Sequence, residues 1–169
     1  MAATHSLAEV EKFVSTDLRK RLKADLRNHK MLREAELECS VYYHLRKFLE
    51  QDDHWRLFAR KYSGKIGRYP DLLILMDKHP VIAMELKWRR GEISHKDREV
   101  LGDCLKKLKV NKVYFITTVK EKADYEKLGW KKRPGEKYRL KEITVRLDLR
   151  GARRQKWEKE RETYKEAIQ

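Results

Sequence analysis

Pro70-Asp71-Leu72-Leu73-Ile74-Leu75-Met76-Asp77-Lys78-His79-Pro80-Val81-Ile82-Ala83-Met84-Glu85-Leu86-Lys87 holds two short apolar runs on either side of a turn. Leu72 to Met76 is apolar without interruption, Asp77 to Pro80 carries turn-forming residues, and Val81 to Met84 is apolar again before the triplet Glu85-Leu86-Lys87. Side chains alternate across a strand, so Glu85 and Lys87 share a face and Leu86 takes the other. Antiparallel pairing across the turn sets the start of the first strand beside the end of the second, which brings Asp71 close to Glu85.

Two carboxylates side by side in apolar surroundings repel each other unless something positive lies between them. Hard oxygen ligands select Mg²⁺ or Mn²⁺. Such an ion lowers the pKa of a bound water and stabilises charge that builds on a phosphoryl oxygen. Lys87 is placed to orient that water or to neutralise a phosphate. An acid two residues before a lysine is often only a same-face ion pair, and an aspartate after proline often only opens a turn. Here, however, the triplet is the only acidic-x-Lys sequence in the chain and closes a strongly apolar strand, where surplus charge is costly. Grouped, partly buried ionisable residues of this kind mark a functional site.

At 169 residues the chain suits one domain with a real core. Its 42 Lys and Arg against 27 Asp and Glu give a formal charge of +15, which points to a polyanionic partner, nucleic acid being the usual one. The longest apolar run, Leu72 to Met76, is far too short to span a membrane, and the first residues lack the apolar core of a signal peptide, so no membrane association and a cytoplasmic location are expected. Cys39 and Cys104 each fall in an expected helix and support no disulfide framework or zinc site. No HExxH and no glycine-rich phosphate loop is present, which removes zinc hydrolases, P-loop NTPases and dinucleotide enzymes from the leading candidates.

Ser6 can cap a helix before Leu7, Val10 and Val14, and Thr16 or Asp17 a further one before Leu18, Leu22 and Leu26. A helix over about 31–49 carries the stripe Leu37, Val41, Leu45 and Phe48; Glu34 falls on that stripe and is a candidate for a role beside the metal, with Glu38, which flanks the stripe, as the substitute candidate. The pattern then predicts a strand over Trp55 to Tyr62, the central hairpin, a helix capped by Ser94, a strand over Val113 to Thr118, a short helix over Lys120 to Leu128, a strand around Ile143 to Leu147, and a charged terminal helix from Gly151. Strand, helix, strand is a crossover, so Val113 to Thr118 is expected parallel to Val81 to Lys87. The expected fold is α/β, a central mixed sheet flanked by helices with N- and C-terminal helical extensions. One domain over 1–150 and a basic helix over 151–169 are expected.

This order, with Pro70, Asp71, Glu85 and Lys87 at its centre and 13 residues between Asp71 and Glu85, resembles the PD-(D/E)XK nuclease superfamily, also called the restriction-endonuclease-like fold. The resemblance covers roughly Met31 to Thr118. It implies a Mg²⁺- or Mn²⁺-dependent endonuclease with DNA as the expected substrate: Asp71 and Glu85 as metal ligands, the Leu86 carbonyl as a further ligand, Lys87 assisting the attacking water, and Glu34 completing the site. Arg68, Arg89 and Arg90 flank these acids, and Lys131, Lys132 and Arg133 lie in a basic stretch, all suited to phosphate contacts without sequence readout. Trp88 and Trp130 adjoin these clusters. A homodimer or a partner protein is expected to supply specificity. The alternative is a non-catalytic nucleic-acid-binding or assembly module in which the acidic cluster is a structural ion network.

Overall fold

A computed structural model of the chain describes residues 5–60, 67, 70–88, 93–119, 140–146 and 152–166. In chain order these form α1 (Leu7–Lys12), a π-helical segment (Phe13–Asp17), α2 (Leu18–Arg27), α3 (Glu34–Leu49), β1 (Trp55–Ala59), β2 (Leu72–Met76), β3 (His79–Lys87), α4 (His95–Asp103), a second π-helical segment (Cys104–Leu108), β4 (Lys112–Val119), β5 (Leu140–Arg146) and α5 (Ala152–Glu166). The expected helix over 120–128 lies outside the described residues.

The strands make one five-stranded sheet in the order β1-β2-β3-β4-β5. The β1–β2 and β2–β3 pairs are antiparallel, and β3–β4 and β4–β5 are parallel. The chain is therefore mixed α/β, with helices against the sheet, and α4 provides the crossover that a parallel β3–β4 pair requires.

Alternation along the strands divides the core into two layers. Leu72 and Ile74 of β2, Ile82, Met84 and Leu86 of β3, and Tyr114 and Ile116 of β4 pack with Leu18, Leu22, Leu37, Val41 and Leu45 of α2 and α3. Leu73, Ala83, Val113 and Phe115 face the other way, onto Val100, Leu101 and Cys104. Each large aliphatic side chain buried in this way contributes about 1.5–3 kcal/mol. Trp157 of α5 joins the first layer, with its ring stacked on His29 at 5.0 Å between centroids.

Several boundaries differ from the sequence pattern. The hairpin turn is two residues, Asp77 and Lys78, both at positive φ (48° and 69°), instead of the four from Asp77 to Pro80. That is the backbone sign a two-residue hairpin turn demands, and a register shift after Ile74 accommodates Pro80 in the ladder. β1 stops at Ala59 because Arg60 turns to φ 45°. β5 begins earlier, at Leu140.

At the N-terminus Ser6 does cap α1, in a reciprocal box with Glu9, but neither Thr16 nor Asp17 caps α2. The hydroxyls of Ser15 and Thr16 donate back to the carbonyls of Glu11 and Lys12, each at 2.7 Å, and helical turns run without a break from Leu7 to Arg27 through the π-helical segment. No helix among the described residues is long and apolar enough to cross a membrane.

Candidate active site

The β2–β3 register pairs Leu73 with Ala83 and Leu72 with Met84. One residue further, the ladder sets Asp71 opposite Glu85, on the face that carries α4. Asp71 Oδ2 accepts the backbone N–H of Leu86 at 2.7 Å, while the Leu86 side chain is fully buried in the opposite layer. Lys87 follows on the site face and donates from Nζ to Glu85 Oε1 at 3.1 Å.

Lys87 Nζ also lies 3.6 Å from Asp71, 3.8 Å from Asp97 and 3.9 Å from Glu34. Glu34 reaches this point from the first residue of α3, around the end of β3, where its Oε2 accepts the Trp88 N–H at 3.2 Å. The structure thus brings Asp71, Glu85, Lys87 and Glu34 together. Glu38 is committed elsewhere, to Arg60 at 2.6 Å, and Glu36 accepts the Leu32 and Arg33 amides at the start of α3. Arg68, Arg89, Arg90, Trp130, Lys131, Lys132 and Arg133 lie outside the described residues.

Two nearby residues are not singled out by the sequence. Asp97, buried on the first turn of α4, faces Lys87 with one oxygen and takes the Ser94 hydroxyl on the other at 2.6 Å. The spacing Ser94-x-x-Asp97 is visible as a helix cap but not as part of a site. Arg60 is the other; nothing in its local sequence sets it apart.

The electrostatics follow from four carboxylates gathered round one ammonium in a largely buried setting. Burial, then the charge of Asp71, pushes the Glu85 carboxyl up to about 8. Asp71 is raised as well, chiefly by burial, against the opposing pull of the Leu86 amide and Lys87. Burial works against the Lys87 ammonium, but Glu85 and Asp71 outweigh it and hold the amine above its ordinary value. Cys104, raised to about 12 mainly by burial, stays a thiol and is no nucleophile.

Among the described residues, no group of three His, Cys, Asp or Glu side chains is set around a single cation position. The Lys87 ammonium stands at the point on which the carboxylates converge. Their chemistry nevertheless fits a hard divalent ion: all donors are oxygens, the acids outnumber Lys87, the one amine among them in the described residues, and Glu85 Oε2 is buried with no hydrogen-bond partner among the described residues. No protein-family model matches the chain, and no curated protein matches it significantly.

Proposed function

We propose that this protein is a Mg²⁺- or Mn²⁺-dependent endonuclease of the PD-(D/E)XK kind that hydrolyses phosphodiester bonds in nucleic acid, with DNA as its substrate. The observation that carries the reading is the convergence of Asp71, Glu85 and Lys87 at the end of one buried strand pair, with Lys87 Nζ 3.1 Å and 3.6 Å from the two acids. Asp71 and Glu85 would hold the ion, with the Leu86 carbonyl and Glu34 completing its surroundings. When bound, the ion supplies an acidified water and charge stabilisation at the phosphoryl oxygen.

The chain's own residues then have separable tasks. Asp71, tied to the Leu86 amide, keeps its carboxylate oriented before any ligand arrives. Glu85 must lose its proton to bind a cation, and its unpartnered oxygen is available for that contact. Lys87 remains an ammonium, so it acts as a donor that orients water and stabilises phosphoryl charge, not as a base. The formal charge of +15 favours the polyanion at long range.

The test is incubation of the purified protein with plasmid, single-stranded and branched DNA plus Mg²⁺ or Mn²⁺. Metal-dependent cutting is expected from the wild type and not from Asp71→Asn or Lys87→Ala. Cutting that persists unchanged in either variant overturns the reading.

One observation favours a second reading. An ammonium enclosed by carboxylates can serve as a self-contained ion network, and a non-catalytic nucleic-acid-binding module would keep it for structure alone. Calorimetric titration separates the two. Mg²⁺ or Mn²⁺ binding abolished by Asp71→Asn supports the enzyme, and no metal binding even with DNA present supports the module.

A further inference from the structure

Arg60 stands immediately after β1 at φ 45°, a left-handed conformation that an arginine adopts only at a conformational cost. Glycine or asparagine would fill such a position more readily. The Arg60 amide donates to the Asp71 carbonyl at 2.8 Å, so this residue is fastened across the β1–β2 pair to one of the two acids of the candidate site. Its guanidinium is fastened too, with Nη2 donating to Glu38 Oε1 at 2.6 Å. Glu38 lies four residues beyond Glu34, on the same face of α3. Both ends of Arg60 are thereby anchored to elements that carry site residues.

The Arg60 side chain is 65% exposed, whereas Glu38 is 20% exposed. A cation is held at the solvent rim of a site whose interior is dominated by carboxylates. The Glu38 bond, then the charges of Glu38, Asp71 and Glu34, keep the guanidinium fully protonated. A phosphate chain approaching such an interior is repelled by it, and the attraction that seats it has to come from cations at the edge. A guanidinium matches that need because its planar donors meet phosphate oxygens in pairs.

We propose that Arg60 is a substrate-binding residue that grips a backbone phosphate beside the one positioned at Asp71 and Glu85, with Glu38 holding the guanidinium in place for it. This rests on the nuclease reading above. The competing account is a plain surface ion pair that joins β1 to α3 and has no ligand.

The experiment measures binding of a fluorescently labelled DNA duplex across a salt series, with Ca²⁺ in place of Mg²⁺, alongside plasmid cleavage in Mg²⁺. Arg60→Gly deletes the cation while suiting the left-handed backbone, so it is expected to fold with an unchanged or higher Tm. Its Kd should rise roughly tenfold, and the slope of log Kd against log salt should flatten by about 0.9, one phosphate contact. Arg60→Lys should keep the slope and recover part of the affinity, and Glu38→Gln should keep both. A plain ion pair would leave the salt slope of Arg60→Gly at the wild-type value, and that result, with wild-type cleavage present and Asp71→Asn inactive, overturns this inference alone. A wild type that neither binds nor cuts DNA overturns the nuclease reading and this inference with it.

Discussion

Asp71 Oδ2 accepts the Leu86 amide at 2.7 Å, which ties the carboxylate to the strand that carries Glu85 and Lys87. Charge and hydrogen bond can therefore be removed separately. Asp71→Asn keeps an oxygen for the Leu86 N–H and loses the charge; its metal-dependent cleavage is expected to fall by about 10²- to 10³-fold, the scale of losing one preorganised electrostatic group, with a Tm no lower than wild type. Asp71→Ala leaves the Leu86 amide without this partner and is expected to cost a further 1–3 kcal/mol or so of stability. Cleavage assays and thermal melts of the two variants check both statements.

Glu85 makes the metal-free protein less stable as pH rises. Its carboxyl is raised from the ordinary 4.5 to about 8, so between these values the folded protein holds a proton that the unfolded chain has released. Stability falls wherever the folded state binds more protons and pH increases. The loss runs through that window and is complete above it, and Asp71, also raised, adds to the same slope. Glu85→Gln imitates the protonated acid, so its Tm in EDTA should be flatter with pH and higher than wild type on the alkaline side. The divalent ion should act in the opposite sense: the wild-type affinity for Mn²⁺ climbs with pH across the window, and Glu85→Gln loses that climb.

The hairpin and its acids are legible in the sequence because a period of two residues fixes which side chains share a face. Asp71, Glu85 and Lys87 sit at the paired ends of two apolar runs joined by one short turn, so a single pairing decision places them all. Asp97 is not legible in this way. Its approach to Lys87 depends on how α4 seats on Leu73, Ala83 and Phe115, a tertiary fact with no local signature beyond the cap. Glu34 falls between these cases, since its stripe position is visible but its reach round the end of β3 to the Trp88 amide is set by packing of α3 on the other layer. The unbroken helical run over α1 and α2 escapes notice because Thr16 reads as a cap residue and spends its hydroxyl on Lys12 instead.

Removal of Lys87 should expose the charge imbalance directly. Lys87→Ala leaves Asp71, Glu85, Asp97 and Glu34 without their common ammonium, and loss of one partner from a buried ion cluster costs about 3–5 kcal/mol. A divalent ion can then take up the vacated position. The increase in Tm on adding Mg²⁺ or Mn²⁺ is therefore expected to be larger in Lys87→Ala than in the wild type, while cleavage is lost. An equal or smaller thermal shift in the variant would show that the ammonium and the ion do not compete for one place.

Asp97 serves two neighbours, and substitution can distinguish them. Its backbone and carboxylate engage Ser94 at 3.2 Å and 2.6 Å in the cap of α4, and its other oxygen faces Lys87 at 3.8 Å. Ser94→Ala removes the cap and is expected to cost about 1 kcal/mol of stability, with kcat close to wild type because Lys87 keeps all its acidic neighbours. Asp97→Asn retains an oxygen for the Ser94 hydroxyl but withdraws one charge from Lys87. If that charge helps to hold the ammonium where a water or phosphate needs it, kcat should fall by about tenfold with KM little changed, in the range found for groups that orient a ligand from one shell out. Equal kinetic effects from the two substitutions would reduce Asp97 to a helix cap. A fall confined to Asp97→Asn makes it the fifth working member of the cluster, acting through Lys87 from the layer opposite Glu34.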